Sequence, residues 1–432
     1  MAQNQSNSGI IQRLNAGFAA IFKRSGGPGV TVPSRILSGF GSFSDAGTTV
    51  SVDTALTLSA LYAGVRAISE DIGAKIPFSV YKNEANGDRI ELKNNPSFKL
   101  IRYQTSESVP SYVFQSAMIA SAILRGDGIG FIERDNKYRP SKLLFIPRDS
   151  VNILINDRNE LGYQIISSAG FNQVKPGIYP ASEIIHLRGL SVNGLTGVSV
   201  IQYGANSIGG GIAAQQFGNT YYKNGGGVGG ILETEKSLGD IARKNLEDSF
   251  NFAMSDTESS HKWKLLEEGV KANPIKVSAE DAQILETRKF NIGDMCRWLR
   301  IPPHKVAEMS GATFTNIEQQ NIEYATDSLG PWVAKMEDEF TLKLLTEAEQ
   351  ADGIYIRGDL SEVLRGDSAA QINFMKNLAY IGGISPNEIR QKFGMNSYTG
   401  GEFKMIPSNM ATIDTDGKIT VLSNNSANVT TE

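Results

Sequence analysis

The chain has 432 residues, of which 40% are apolar, 20% are charged and 44 are glycine; this is a globular composition, outside the disordered and fibrous classes, and at about 150 residues per domain the length allows roughly three units. Lys and Arg total 42 against 46 Asp and Glu, a formal charge of -4, so the basic footprint of a protein that grips a phosphate backbone tightly is missing. Cys296, the single cysteine, excludes an intrachain disulfide and a cysteine zinc cluster and suits a reducing compartment, and no apolar run approaches the ~20 residues that cross a bilayer.

Residues 10–22 carry Arg13 early and lack a small-residue cleavage site, which predicts a short amphipathic arm rather than a signal peptide. The Gly-, Ser- and Pro-rich stretch 25–48 has no sustained period and is expected to be a flexible lead-in, with order beginning after it. Leu58, Leu61, Val65, Ile68 and Ile72 then step by three and four, which predicts a helix stopped by Pro77. IPFSVYK reads as a strand, and Asn86-Gly87 as the turn of a hairpin into DRIEL. SYVFQSAMIASAILRG predicts a second amphipathic helix closed by Gly126, and GIGFIERD, KLLFIPRDSVNILIN, GYQIISS and EIIHLRG read as short strands. With no β-α-β alternation, this half is α+β and not a dinucleotide-binding sheet.

In the second half, Ile201, Ala205, Ile208 and Ile212 keep a helical spacing across Gly209-Gly210-Gly211, although each interior glycine costs up to ~1 kcal/mol relative to alanine. Either the helix packs so closely on a neighbour that only hydrogen side chains fit, or the run is a break. GGILETE predicts a strand, 238–254 a helix and KWKLLEEGVKANPIKV further strand, together a small α/β insert. Helical stepping returns through Ala282, Leu285, Ile292, Met295 and Leu299 and stops at Pro302-Pro303. After the loop HKVAEMSGATFTN, residues Ile317, Asn321, Tyr324, Ser328, Trp332, Met336, Phe340 and Leu344 mark one face of a long helix. It is interrupted at Gly330-Pro331, where a main-chain bond is lost and a kink is expected. Residues 352–400 are helical in pattern, with Ser385 as N-cap and Pro386 in the first helical position, and the chain past Pro407 is expected to fray.

Residues that carry chemistry are sparse. Gly225, Gly227 and Gly230 match G-x-G-x-x-G, but they follow a helical segment and precede the strand-like ILET, where a phosphate loop would follow a strand and open a helix. A glycine-loop nucleotide-binding enzyme is the competing reading. His186, His261 and His304 fall in no metal-binding spacing, and Asp414 and Asp416 lack the later ligands of a calcium loop. Glu337-Asp338-Glu339 points in several directions around a helix and is expected to be a solvated face. No G-x-S-x-G occurs. Long helices around a small insert, without a catalytic constellation or a basic stripe, favour an assembly component.

Taken in order, ALTLSALYAGVRAISEDIGAKIPFSVYK, SYVFQSAMIASAILRGDGIGFIERD with LLFIPRDSV, IIHLRGLSVNGLTGVSVIQYG, YYKNGGGVGGILE, EDAQILETRKFNIGDMCRWLRIPPHKV, TNIEQQNIEYATDSLGPWVAKMEDEF and GGISPNEIR resemble the portal (head-to-tail connector) proteins of long-tailed bacteriophages over roughly residues 48–407. The resemblance implies an α+β portal fold: a flexible N-terminal arm (1–47), a wing (48–195), a first stem helix (196–223), a clip (224–278) and a second stem helix (279–300). A tunnel loop (301–316), a long kinked helix (317–349), a crown (350–407) and a disordered tail (408–432) would follow. Gly311, Ala312, Thr313, Phe314, Thr315 and Asn316 would line the channel, Gly330 and Pro331 would kink the helix, and Lys262, Trp263 and Lys264 would lie in the clip. Gly226 to Gly230 departs from the small residue and proline that relatives often carry where the clip begins.

The same resemblance implies a structural protein rather than an enzyme, with no cofactor and no metal. It would form a dodecameric ring at one capsid vertex of the virion, assembled in the host cytoplasm, with double-stranded DNA passing through the channel. Its other partners would be the terminase large subunit, the major capsid and scaffold proteins, and a head-tail connector (adaptor) protein, with no membrane. A DNA conduit needs weak, evenly repeated contacts, and no Lys or Arg lies between Lys305 and Lys335.

Overall fold

The computed structural model describes residues 30–31, 42–84, 88–156, 160–166, 174–223, 230–233, 239, 241, 244, 271–274, 284–308, 320–363, 368–404, 411–413 and 419–421. The chain divides into two units, Met1–Leu360 and Ser361–Glu432. Strand pairing begins inside the lead-in that composition marks as flexible: β1 (Val30–Thr31) will pair with a later strand, and β2 (Ser42–Phe43) pairs antiparallel with β3 (Thr49–Val50). Two-residue strands carry no readable period, which is why pattern misses them.

Helix α1 (Val52–Ala55) opens with a Ser51–Thr54 capping box. The longer α2 (Ser59–Lys75) buries Leu61, Val65, Ile68 and Ile72, the predicted stripe, and ends before Pro77. β4 (Phe78–Asn83) runs antiparallel to β5 (Arg89–Glu91), the intervening Asn86-Gly87 lying outside the described residues. After α3 (Pro96–Arg102), α4 (Ser111–Arg125) is closed by Gly126 at φ 89°, a conformation that costs glycine nothing. Then come β6 (Asp127–Arg134), β7 (Pro140–Ile146), β8 (Val151–Ile155), β9 (Leu161–Ile165), β10 (Gly177–Pro180) and β11 (Ile184–Arg188). They form sheets of order β1-β8-β9-β10 and β11-β6-β7. Ile129, Ile146, Val151, Ile153, Tyr163, Ile165 and Ile184 pack into one core between them.

The first long helix of the second half starts later than residue 196. A hairpin of β12 (Leu190–Ser191) and β13 (Gly197–Val198) precedes α5 (Val200–Tyr203), and Gly204 separates α5 from α6 (Ala205–Lys223). The glycine triplet is not the break. A Cβ on Gly209 would lie 2.1 Å from Ser44 Oγ and one on Gly211 would lie 3.1 Å from Leu58 Cδ1, whereas Gly210 meets open space. Two of the three glycines therefore exist for close approach, one of them to the β2–β3 hairpin.

In the insert, β14 (Gly230–Glu233) pairs antiparallel with β15 (Lys271–Pro274), and most of the predicted helix at 238–254 lies outside the described residues. α7 (Ile284–Leu299) follows, then helical residues 320–323, a π-helical stretch Tyr324–Leu329 and α8 (Gly330–Leu344). After α9 (Glu347–Ala351), β16 (Ile354–Gly358) joins β4 to complete a β16-β4-β5 sheet, a strand inside a stretch whose pattern reads as helix. Its pairing partner lies far back in the chain, so no local signal announces it. All pairings among the described strands are antiparallel.

In the second unit, α10 (Ser368–Tyr380) precedes α11 (Pro386–Lys392), which has Ser385 as N-cap in a capping box with Glu388 and Pro386 at its first position, as predicted. β17 (Ala411–Ile413) pairs with β18 (Ile419–Val421), so part of the tail expected to fray is paired.

Candidate functional site at the helical arm

The end of α7 is set against α2 where a glycine lets side chains approach its backbone closely. A Cβ on Gly64 of α2 would lie 2.3 Å from Leu299 Cδ1 and 2.6 Å from Ile301 Cδ1. At the end of α7 the chain turns through Arg300 at φ 54°, Ile301 N–H donates to Cys296 O at 3.0 Å, and Pro302-Pro303 prevents continuation. A 3-10 turn, Pro303–Val306, leads to Ala307 at φ 63°.

The chain returns at residue 320, and its return is tied to its departure. His304 Nε2 lies 3.1 Å from Asn321 Oδ1, an acceptor, so Nε2 carries the proton. Ser328 Oγ donates to the carbonyl of Arg300 at 2.5 Å. The Lys305 ammonium sits 4.4 Å from the centre of the Tyr324 ring, whose hydroxyl donates to Asp71 Oδ2 at 3.1 Å. Asp71 is in turn 2.7 Å from Lys75. Burial holds the Lys305 amine below its ordinary pKa and raises that of the Tyr324 hydroxyl. The described chain on either side of residues 309–319 is thus tied together. Gly311, Ala312, Thr313, Phe314, Thr315 and Asn316 lie in that segment, outside the described residues, as do Lys262, Trp263 and Lys264.

Gly330 and Pro331 are the first two residues of α8. Gly330 N–H reaches back five residues to Ala325 O, the π-helical bond, so the turn is widened just before the proline that cannot donate. The pattern places the interruption at Gly330-Pro331; the structure places the altered hydrogen bonding in the six residues before Gly330.

Beyond it, α8 is anchored by charge, and here the solvated acidic face is corrected. Glu337 is buried, pairs with Arg357 and accepts from Gly358 N–H at 2.8 Å. Glu339 accepts from Arg188 Nη1 at 3.1 Å and from His186 N–H at 3.3 Å, and burial raises its pKa despite them. Lys335 donates to the carbonyls of Arg188 and Gly189 at 3.1 and 2.8 Å, and Arg134 to that of Lys343 at 2.8 Å. Of the run, only Asp338 is exposed.

These bonds lead into a buried network in the sheet beneath. Asp127 Oδ1 accepts from His186 Nε2 at 2.9 Å and from Gly197 N–H at 2.6 Å, while Oδ2 accepts from Arg148 Nε at 2.9 Å. His186 Nδ1 lies 2.9 Å from Tyr163 Oη and accepts a hydrogen bond from that hydroxyl. Burial pushes His186 down to about 4 in spite of Asp127, so the imidazole is neutral at pH 7. Burial acts to raise Asp127, but the hydrogen bond from His186, the neighbouring positive charge and Gly197 N–H hold it below the usual carboxylate range. A tyrosine–histidine–aspartate chain could in principle relay a proton to substrate. Here Tyr163, His186 and Asp127 are each at most 2% exposed, so no substrate reaches them and the chain acts as an internal brace. Sequence reading missed this network, although an ionisable residue, Asp127 in RGDGIGF and His186 in EIIHLRG, inside each largely apolar run was its signal.

Among the described residues no group of three His, Cys, Asp or Glu side chains is placed to hold a metal ion, and no helix is long and apolar enough to cross a membrane. Gly230, last of the glycine motif, opens strand β14 rather than a helix, so the helix N-terminus that a phosphate loop requires does not follow it.

A fold of antiparallel sheets carrying a clamped helical arm around a small insert agrees with what is known of one class of protein. The sequence pattern of the family described as "Phage portal protein" matches residues 59–394, and the chain belongs to that family. It is 28% identical over 358 residues to the portal protein of Enterobacteria phage HK97, covering 81% of each chain. It is 26% identical over 384 residues to the probable portal protein of Streptomyces phage phiC31, covering 86% of this chain and 82% of that one. Among solved structures, an HK97-family phage portal protein from Corynebacterium diphtheriae aligns with a TM-score of 0.55 at 14% identity, covering 74% of this chain and 98% of that one. A chain from the neck of a native gene transfer agent particle, computed with C12 symmetry, aligns at 0.52 and 16% identity, covering 88% and 99%.

Proposed function

We propose that this portal protein assembles into a dodecameric ring at one capsid vertex, encloses the channel through which double-stranded DNA is packaged and ejected, and docks the terminase motor and later the connector proteins. In this reading the sheets up to about residue 195 are the wing, α6 and α7 the stem, residues 224–278 the clip, the segment around Gly311 to Asn316 the tunnel loop, and residues 350–407 the crown. Capsid and scaffold proteins contact the ring during assembly in the host cytoplasm, and the helix of Gly330-Pro331 bends beside the channel.

The observation that carries the reading is the surface of the arm. Tyr203, Phe290, Trp298, Ile322 and Leu342 are 58%, 62%, 39%, 42% and 60% exposed, all on or beside helices that a ring would place between subunits. Isolated apolar residues on a surface are ordinary, but five large ones exposed on these helices offer apolar area that contact between subunits would cover.

With no phosphate loop in the chain, translocation is driven by a separate ATPase. In a packaging assay with the cognate motor, Thr313→Arg or Phe314→Arg slows DNA entry by adding a cation per subunit at the constriction. Unchanged packaging contradicts the tunnel-loop role, and ATP hydrolysis by the purified protein alone contradicts the passive-conduit reading.

A further inference from the structure

The second unit buries little of what it displays. Its core among the described residues is Met375, Ala379 and Ile384, with Leu378 and Ile389 packed against it. Yet between Ile372 and Phe403 eight large apolar side chains are 43% to 64% exposed. Taking 150–250 Å² for a large side chain, these expose on the order of 800 Å², comparable to one side of a standard protein interface.

The distribution says what covers the surface. At about 100° per residue, Ile372 falls on one flank of the buried Met375–Ala379 stripe of α10, and Phe374 falls on the other, one turn before Leu378. Beside Leu378 opens a groove of 520 Å³, lined by Leu378, Gly383, Ile384, Glu388, Gln391 and Lys392. A two-fold dimer would use one self-complementary face; two different apolar flanks, one with a groove, suit the head-to-tail contacts of a ring. A helix apolar on both sides of its core stripe is a helix meant to be buried on both sides.

We propose that this unit is completed by the same unit of adjacent copies: the Ile372 flank of one copy seats against the Phe374 flank and groove of the next, and the unit reaches full stability only when the ring closes. This rests on the ring reading above, so the test separates the two. Ring and subunit fractions of the full-length chain are isolated by sizing with light scattering, and amide hydrogen exchange is followed peptide by peptide. The expected result is that peptides covering α10 and α11 exchange about tenfold or more slower in rings than in single subunits, while α2 and α4 differ little. Phe374→Ser, a change at a side chain 58% exposed, removes that ring-specific protection and leaves α2 and α4 unaffected. Rings whose α10 is no better protected than in single subunits overturn the inference and leave the ring reading intact, because the ring then closes without covering this face. Single subunits under every salt condition overturn both.

Discussion

Ser328 Oγ donates a hydrogen bond to the main-chain carbonyl of Arg300, a residue held at φ 54°, and so joins the π-helical stretch before α8 to the strained turn that ends α7. The bond ties the chain on the near side of residues 309–319 to the chain on their far side. Ser328→Ala is expected to destabilise the first unit by about 1–2 kcal/mol through the lost donor. Arg300→Gly is expected to be neutral or stabilising by up to ~1 kcal/mol, because glycine adopts this backbone conformation freely. Denaturant unfolding followed by tryptophan fluorescence checks both, since Trp298 and Trp332 flank the junction.

The two neighbouring glycines of α6 separate close approach from mere permissiveness. Gly209→Ala drives a methyl group into Ser44 and is expected to cost about 1–3 kcal/mol. Gly210→Ala meets open space and is expected to gain ~0.5–1 kcal/mol of helix propensity. Thermal unfolding of the two variants side by side should move in opposite directions; equal shifts would contradict the docking of β2–β3 on α6.

Asp127 and Arg148 form an ion pair that is 1% and 3% exposed. Asp127→Asn leaves the guanidinium without a counter-charge, and a loss of about 3–5 kcal/mol is expected. Arg148→Met added to Asp127→Asn is expected to recover part of it, because removing both charges also removes the uncompensated one. Chemical denaturation of the single and double variants measures the coupling.

The buried imidazole also sets a pH dependence. His186 binds its proton at about 4 when folded and near 6.5 when unfolded. Between these values the unfolded chain holds more protons, so stability is complete above pH 6.5 and falls as pH drops toward 4, by about 3 kcal/mol in all. Glu339, whose carboxyl is raised by burial, acts in the opposite sense toward the acidic end and offsets part of the fall. Unfolding free energies measured from pH 7.5 to 4 should show the slope, and His186→Gln should remove it whatever that variant does to stability at neutral pH.

Much of this architecture was legible from local pattern. The stripes of α2 and α4, the stop at Pro77, the Gly126 closure and the Ser385-Pro386 start of α11 all rest on short-range physics, namely period, caps and missing donors. What escaped reading depends on partners distant in sequence. β16 is a strand because β4 accepts it, and Glu337 and Glu339 are buried because Arg357 and Arg188 arrive from elsewhere. The glycine triplet left two readings open because only Ser44 and Leu58, folded back onto α6, decide between them. Tunnel-loop and clip residues rested on resemblance throughout, since neither stretch carries a period or motif that assigns its role.

In the proposed ring, identical subunits surround an open axis. Electron microscopy of the purified full-length protein should show rings with an axial hole and twelvefold symmetry; compact particles with no central opening would exclude that arrangement.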